Sequence, residues 1–253
     1  MKLNQQVRSY WEKEPCGTAE EIVAGAEPLS REWFDKIEEY RDQVEPFIPE
    51  VVGFESYKGK KILEIGVGAG SDHLRWAKAG AKCFGVDLTE AGIKTTRKHL
   101  AYHGLKSQLK RIDAEQLPFK DGTFDVVYSW GVIHHSEKPE VIVREIQRVL
   151  KPGGVFIGMF YGRYSLVAFK RWVKFALLKG RPWRSFSDVI WHHMESVGTK
   201  AYRVGELREM FGAFKSFEGR QILTWHDIVK FPRWIRGLFP QKWGWFIVVK
   251  AFK

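Results

Sequence analysis

The chain has 253 residues, a formal net charge of +11 and two cysteines, Cys16 and Cys83. This length supports one large α/β domain whose core needs no disulfide or metal to hold it together. The cysteines fit neither a disulfide framework nor a metal-ligand spacing, so we expect a reducing compartment and no metal. The sequence also lacks the apolar core of a signal peptide and any apolar run of roughly 18 residues, and it predicts a soluble, cytoplasmic protein.

The positive charge belongs entirely to the C-terminal part of the chain. Residues 163–253 contain 18 basic and 6 acidic residues, a net charge of +12, whereas residues 1–162 contain 23 and 24. Seven of the eleven tryptophans lie in the same C-terminal segment. A basic, aromatic surface indicates an anionic or amphipathic partner, although a solvated basic face over core tryptophans explains the pattern equally well.

Apolar runs alternate with helix-period segments from residue 60 to residue 161, which is typical of βαβ units around a parallel sheet. The pattern predicts strands at 61–65, 82–87, 109–113, 124–129 and 155–161, and helices at 70–79, 90–103 and 139–150. Thr89 is expected to cap the second of these helices. After an insertion at 163–200, a helix at 204–211 and strands at 217–224 and 244–252 complete the pattern.

A glycine-rich loop, EIGVGAG (64–70), follows the first predicted strand. Glycines let the backbone approach a nucleotide closely, and the following helix offers free N–H groups. The dinucleotide fingerprint G-x-G-x-x-G requires its third glycine where Ser71 stands. Glu64 would be unfavourable beside a pyrophosphate but tolerable beside an ammonium group. The loop by itself leaves both a dinucleotide and S-adenosylmethionine open.

Three further motifs follow the loop in order: GVDLT (85–89), DAEQLPF (113–119) and SWGVIHH (129–135). Together with KKILEIGVGAG (60–70), they resemble the class I S-adenosylmethionine-dependent methyltransferases. The closest pattern is that of the small-molecule branch, which includes quinone-ring and phosphobase enzymes. The resemblance covers residues 58–161 and makes S-adenosyl-L-methionine the expected cofactor, with S-adenosyl-L-homocysteine as product.

The resemblance implies an α/β fold with a Rossmann-like, doubly wound sheet of seven strands, mostly parallel with the last strand antiparallel. It divides the chain into an N-terminal helical cap (1–57) and an S-adenosylmethionine-binding core (58–162). A helical lid insertion (163–203) and a C-terminal segment that completes the sheet (204–253) follow.

The resemblance also implies which residues hold the cofactor. The loop glycines would lie beneath the methionine part, with Glu64 linked to its amino group directly or through water. Asp87 would accept hydrogen bonds from the ribose hydroxyls, although a turn or capping acid fits that position too. Asp113 and Ala114 would face the adenine. The full set of expected cofactor contacts is Tyr10, Trp11, Glu64, Gly66, Gly68, Gly70, Asp87, Leu88, Asp113, Ala114, Glu115, Ser129, Trp130 and His134.

Few catalytic groups are needed, because methyl transfer from a sulfonium depends chiefly on alignment, exclusion of water and, for some acceptors, a base. In some phosphobase methyltransferases a histidine after the fourth strand pairs with an N-terminal tyrosine, and His135 and Tyr10 match those positions. We expect His135 to act as the base or to position the acceptor, although a packing role fits both His134 and His135. The candidate acceptor contacts are His135, Tyr161, His192, His193 and Tyr202.

The sequence lacks two motifs, and this limits the classes of methyl acceptor. SWGV (129–132) replaces the Asp/Asn/Ser-Pro-Pro-aromatic motif of nucleic-acid amine methyltransferases, and MFYGRY (159–164) lacks the acids of a catechol-type metal site. We therefore expect no nucleic acid and no metal.

The segments 165–179 and 231–245 are amphipathic, basic and aromatic. The spacing predicts a helix over 165–179, which covers the acceptor pocket with its basic side facing water or lies in a membrane interface, and 231–245 repeats the basic-aromatic mixture as a candidate peripheral contact. We expect a small, anionic or amphipathic organic acceptor that is methylated at O, N or C. The rival functions are an NAD(P)-dependent oxidoreductase and a non-catalytic membrane- or nucleic-acid-binding module.

Overall fold

The computed structural model describes residues 2–253, which fold around one seven-stranded sheet. The strands are β1 (Lys61–Ile65), β2 (Lys82–Asp87), β3 (Gln108–Arg111), β4 (Phe124–Trp130), β5 (Leu150–Tyr161), β6 (Ser216–Ile222) and β7 (Phe246–Phe252). Their order is β3-β2-β1-β4-β5-β7-β6, and β7 runs antiparallel to both of its neighbours while the other pairs are parallel. The expected doubly wound sheet with an antiparallel last strand is confirmed.

The helices cover both faces of the sheet. Those before β1 are α1 (Leu3–Lys13), α2 (Glu20–Val23), α3 (Arg31–Val44) and α4 (Ile48–Val52). Those that alternate with β1 to β5 are α5 (Ser71–Lys78), α6 (Glu90–Tyr102) and α7 (Pro139–Val149). Those after β5 are α8 (Leu166–Phe175), α9 (Phe186–His193), α10 (Val204–Met210) and α11 (Trp225–Ile228). No helix within residues 2–253 is long and apolar enough to cross a membrane.

The bounds expected from the sequence agree with the structure to within two residues for most elements, and Thr89 caps α6 by accepting a hydrogen bond from the Gly92 backbone. The strand β5 begins earlier, at Leu150, because Phe124 pairs with Leu150 and Val126 with Val155, so residues 151–154 bulge out of the ladder. The helix expected over 165–179 ends at Phe175 and continues as a separate 3₁₀ turn, Leu177–Lys179.

The N-terminal helices pack directly on the glycine-rich loop. Val23, Trp33, Phe34 and Ile37 form an apolar cluster with Ala69 of that loop. Two larger clusters fill the two faces of the sheet, and β4 is buried along almost its whole length, as a central parallel strand should be. The helical cap therefore fixes the loop as well as covering it. The boundaries at residues 57, 162 and 203 stay a prediction.

Candidate functional site

A cavity of about 920 Å³ lies at the carboxyl ends of β1 and β4, where the strand order reverses. Open α/β sheets bind their ligands at this switch point. Helices α1 and α3 form part of its wall, and α8 and the segment after α11 form another part. Pockets for one small ligand occupy about 300–1,000 Å³, so this cavity has room for a cofactor and an acceptor side by side.

The glycine-rich loop forms the floor of the cavity, and its backbone conformation requires glycine at three positions. Gly66, Gly68 and Gly70 have φ of +81°, +52° and +87°, which disfavours other residues. A Cβ on Gly66 would lie 2.3 Å from Cγ2 of Val132, and one on Gly70 would lie 3.1 Å from Cα of Thr96. The loop therefore packs closely against Val132 and Thr96, and larger residues would not fit at these positions.

Asp87 stabilises the turn after β2, one of the two roles expected from the sequence, and it also lines the cavity. Its Oδ1 accepts hydrogen bonds from the Thr89 backbone N–H (2.9 Å) and hydroxyl (2.6 Å), and its Oδ2 accepts one from the Gly68 N–H (3.0 Å). An ionised carboxylate has about four acceptor positions, so Oδ2 keeps one for a ligand. Leu88 also lines the cavity. Ribose binding by Asp87 stays a prediction.

Glu64 lines the cavity but is paired with a histidine that the sequence analysis missed. Its Oε2 lies 2.8 Å from Nδ1 of His73, and Nε2 of His73 lies 2.8 Å from the Ser107 hydroxyl. That hydroxyl donates to the Cys83 carbonyl, so Nε2 of His73 must be the donor to Ser107. Burial raises the pKa of Glu64 to about 7. The pair forms a buried hydrogen bond beneath the loop.

At the end of the cavity expected to hold adenine, helix α1 is fastened to the sheet by Asn4. Its side-chain amide donates to Asp113 (2.9 Å) and Glu115 (2.7 Å), and its oxygen accepts from the Glu137 backbone (2.7 Å). Asp113 and Ala114 line the cavity, whereas Glu115 does not. The position of α1 closes this end of the cavity over the expected adenine site.

A buried network on the opposite wall was not expected from the sequence. Arg41 donates to Asp72 (2.6 Å) and Glu45 (3.0 Å), Tyr128 donates to Asp72 (2.7 Å), and the Trp130 indole N–H donates to Glu45 (2.7 Å). Nε of Arg41 is buried and has no hydrogen-bond partner among the described residues. Arg41, Glu45, Asp72 and Trp130 line the cavity beside the loop, so this network forms a charged part of its wall.

Four expected cofactor contacts lie off the cavity wall: Tyr10, Glu115, Ser129 and His134. Ser129 is buried and donates to the Ile65 carbonyl at 3.0 Å. His134 is fully buried against Tyr161, with ring centroids 3.9 Å apart, and burial holds its pKa well below the usual value. The structure thus places both side chains in the core.

His135 lines the cavity next to the N-terminal helix. Its Nδ1 lies 2.9 Å from the Ser196 hydroxyl and 3.1 Å from the Thr199 hydroxyl, and its Nε2 lies 3.4 Å from Glu195 Oε2. Trp11 lies edge-on against its ring, at 5.4 Å between centroids. Tyr10 is exposed and lies edge-on to Trp11, and the structure does not bring its side chain to the cavity wall.

Of the remaining acceptor candidates, only Tyr161 lines the cavity. His192 and His193 lie on α9, which turns Val189 and Ile190 toward the core instead. His193 stacks on Phe175, with ring centroids 4.2 Å apart. Tyr202 is buried against Phe160. Their roles stay predictions, although the structure does not bring these three side chains together with His135.

The acceptor end of the cavity contains charged residues that the sequence analysis placed elsewhere or missed. Helix α8 was expected to present its basic side to water, yet its basic residues line the cavity. The charged residues at this end are Lys170, Arg171, Lys174, Glu195 and Lys230. Residues 2–253 contain no group of three or more histidine, cysteine or acidic side chains that could hold a metal ion.

Comparison with known proteins identifies the domain that carries this cavity. Residues 63–158 match the family of methyltransferase domains. The ubiquinone biosynthesis O-methyltransferase of Pseudomonas aeruginosa is 32% identical over 139 residues, which make up 52% of this chain and 59% of that protein. The chain thus spans about three fifths of the length of the curated relatives that it matches.

Solved structures share the fold at low identity. Magnesium protoporphyrin IX methyltransferase from Synechocystis PCC 6803, solved with bound S-adenosylmethionine, is 15% identical with a TM-score of 0.60, covering 100% of this chain and 98% of that chain. A cyclase is 18% identical with a TM-score of 0.57, covering 99% of this chain and 92% of that chain. At such identities the likeness concerns the fold, and a fold hosts more than one activity.

The family match contains the glycine-rich loop, Asp87, Asp113 and His135. It resolves the choice between two cofactors that the glycine spacing left open, and S-adenosyl-L-methionine is the cofactor. Residues 63–158 are thus a methyltransferase domain of the class I, S-adenosylmethionine-dependent type, similar to that of the quinone methyltransferases.

Proposed function

We propose that the protein transfers the methyl group of S-adenosylmethionine to a small, anionic or amphipathic organic acceptor. One observation carries this proposal: a single cavity joins the glycine-rich loop and Asp87 to His135 and to a basic wall on α8. The names of the curated relatives, which are O-methyltransferases of ubiquinone biosynthesis, agree with an acceptor of this kind. Continuity of the cavity matters because methyl transfer requires both molecules in line and in contact.

The residues around the loop fit the cofactor. Its methionine part would lie over residues 66–70, with the carboxylate near the Arg41 guanidinium. The ribose would reach the free position on Oδ2 of Asp87, and the adenine would lie between Ala114 and helix α1. When bound, the cofactor supplies an electrophilic methyl group on a sulfonium. The chain supplies the alignment and the exclusion of water.

The protein's side chains contribute mainly by excluding water and by orienting the two reactants. Trp11 and helix α1 cover the cavity and keep water from the reacting centre. His135 serves as the base or positions the acceptor, and Tyr10 supports it through Trp11. The far end of the cavity mixes the apolar side chains of Val167 and Trp245 with basic ones. This mixture favours an acceptor with an apolar body and a negative charge.

The cofactor part of the proposal is tested by isothermal titration calorimetry. We expect S-adenosylhomocysteine to bind at micromolar concentration and NADH not to bind. A radiolabelled methyl-transfer screen over metabolite fractions then identifies acceptors. Tight binding of NADH, with no binding of S-adenosylhomocysteine at high micromolar concentration, would contradict the proposal and favour an oxidoreductase.

We also propose that the protein contacts an anionic membrane surface through its basic, aromatic C-terminal region. Trp183 and Trp234 are 77% and 82% exposed, and Leu178 and Leu238 are exposed as well. Lys170 on α8 donates to the backbone carbonyls of residues 226 and 227 on α11, so the helices that precede the two segments carrying these side chains are in contact. Exposed apolar side chains among basic ones match the interface of an anionic bilayer.

Sedimentation with vesicles of phosphatidylglycerol and phosphatidylcholine tests this contact. The wild type should bind, with an affinity that falls as salt is added. The double variant Trp183→Ser/Trp234→Ser should bind at least about tenfold more weakly, because two interfacial side chains are lost. Tyr102→Ser, which removes an exposed aromatic on α6, is the control and should bind as the wild type does. Equal binding by the double variant and the wild type would refute the contact.

A further inference from the structure

We infer that the methyl acceptor is a phosphate ester with an apolar body, and that its phosphate is bound by four basic residues of the cavity wall. The inference rests on the proposed methyltransferase function and names the class of acceptor more closely. Lys170, Arg171 and Lys174 belong to α8, and Lys230 lies two residues after the end of α11. These four residues form the basic cluster.

Helix α8 turns its basic side toward the cavity. The residues of α8 that line the cavity are Val167, Lys170, Arg171 and Lys174. Because they are three or four positions apart in turn, they form one stripe along the helix. Phe169, which lies off this stripe, is 52% exposed. A helix that only covered an apolar pocket would turn its apolar side chains inward and its charges outward. The observed orientation therefore indicates a cavity that receives negative charge.

The protein does not neutralise the charge of the basic cluster. None of its four members forms an ion pair with a carboxylate among residues 2–253. The acids of the two neighbouring segments have other partners: Asp227 accepts hydrogen bonds from Thr224, and Glu195 accepts them from Tyr161. A cleft lined by charges of one sign concentrates ligands of the opposite sign. The basic cluster is therefore suited to an anionic ligand.

Two members of the cluster provide different kinds of donor. The Lys170 ammonium donates to the backbone carbonyls of His226 and Asp227, at 3.0 and 2.9 Å, which holds it in place. An ammonium has three N–H donors, so Lys170 keeps one for a ligand. Arg171 is half-buried, and a guanidinium can donate two parallel hydrogen bonds to a pair of phosphate oxygens.

The number and the spread of the cations favour a phosphate over a carboxylate. A single guanidinium already binds both oxygens of a carboxylate, which carries one negative charge. The cluster extends over about 6 Å of α8, from residue 170 to residue 174, and Lys230 adds a charge from a separate segment. A phosphate monoester carries a charge of about −1.5 to −2 at pH 7 on three oxygens, so it can contact several cations at once.

The wall next to the basic cluster is apolar. Val167 lies one turn before Lys170 on the same stripe, and it packs against the core cluster that contains Trp245 and Phe246. All three apolar residues line the cavity, together with the glycine-rich loop. An acceptor that fills this space contacts both the apolar side chains and the basic cluster. Such an acceptor needs an apolar body as well as a phosphate.

Three probes with the same chain length test the inference: octyl phosphate, octanoate and octanol. Isothermal titration calorimetry on the full chain, with and without S-adenosylhomocysteine, measures their binding. We expect octyl phosphate to bind at least about tenfold more tightly than octanoate, because its phosphate contacts more of the cations. The double variant Arg171→Gln/Lys174→Gln should bind octyl phosphate at least about tenfold more weakly than the wild type, and octanol within about threefold.

The matched control is Lys179→Gln/Arg181→Gln, which removes two positive charges from the same lid segment at residues that do not line the cavity. This variant should bind octyl phosphate as the wild type does. Both double variants should keep the wild-type affinity for S-adenosylhomocysteine, which shows that they are folded. Equal affinities for octyl phosphate and octanoate in the wild type, or unchanged octyl phosphate binding in Arg171→Gln/Lys174→Gln, would overturn the inference. Failure to bind S-adenosylhomocysteine, with octyl phosphate binding intact, would instead contradict the proposed function.

Competition with vesicles distinguishes two sources of the phosphate ester. Phosphatidylcholine vesicles with or without phosphatidic acid are added to the protein with bound octyl phosphate, and the vesicles without phosphatidic acid correct for partitioning of the probe. Displacement by phosphatidic acid would support the inference with a lipid headgroup as the source of the phosphate. Octyl phosphate that stays bound would support it with a phosphate ester free in solution as the acceptor.

Discussion

Replacing Asp72 with alanine is expected to lower the free energy of unfolding by about 3–5 kcal/mol. The Asp72 side chain is 4% exposed and accepts hydrogen bonds from Arg41 and from the Tyr128 hydroxyl. Its removal leaves the Arg41 guanidinium, which is largely buried, with Glu45 as its remaining partner. It also leaves the buried Tyr128 hydroxyl without its acceptor. Urea unfolding followed by tryptophan fluorescence measures the loss.

The matched control is Asp42→Ala. Asp42 pairs with Arg75, to which Asp72 also lies close, but 66% of the Asp42 side chain is exposed. Exposed ion pairs contribute about 0–1 kcal/mol, so this variant should lose no more than about 1 kcal/mol. Equal losses in the two variants would show that burial of the Arg41 network does not contribute to stability. The Asp72 variant should also bind S-adenosylhomocysteine more weakly, because Arg41 loses its position in the cavity wall.

The cofactor side of the site was predictable because its signals are local in sequence. A glycine-rich loop between a strand and a helix, followed by an acid at the end of the next strand, determines both the backbone geometry and the position of Asp87. Thr89 could be assigned as a cap for the same reason, since capping involves residues only three positions apart. Hydrogen bonds between residues close in sequence can therefore be predicted from a single sequence.

The acceptor side and the Arg41 network were not predictable, because their contacts join distant parts of the chain. His135 meets Ser196 across 61 residues, and Arg41 meets Asp72 across 31 residues. No spacing rule connects such pairs, so Glu195 and Arg41 carry no signal of their own in the sequence. His192 and His193 show the reverse case. This pair resembles a motif and lies in the segment expected to form the acceptor wall, but α9 buries Val189 and Ile190 instead. Only tertiary packing decides such orientations.

Replacing Gly66 with alanine is expected to weaken S-adenosylhomocysteine binding by at least about 100-fold, which is about 2.7 kcal/mol. The residue has φ of +81°, and its new Cβ would lie 2.3 Å from Cγ2 and 2.7 Å from Cγ1 of Val132. Val132 lines the same cavity. The loop and Val132 must therefore move apart, and the floor of the methionine site changes shape. Isothermal titration calorimetry measures the loss.

Gly104→Ala is the control that separates the effect of the clash with Val132 from the effect of backbone strain. Gly104 has φ of +66°, and a Cβ there would meet no atom within 4 Å. Left-handed backbone costs a non-glycine residue about 1–2 kcal/mol, so both variants should lose similar stability from strain, and only Gly66→Ala should lose affinity. The double variant Gly66→Ala/Val132→Ala removes the clashing methyl groups and should recover part of the affinity. If Gly66→Ala binds S-adenosylhomocysteine within threefold of the wild type, cofactor binding does not depend on the closely packed loop. The assignment of residues 66–70 to the methionine part would then be wrong.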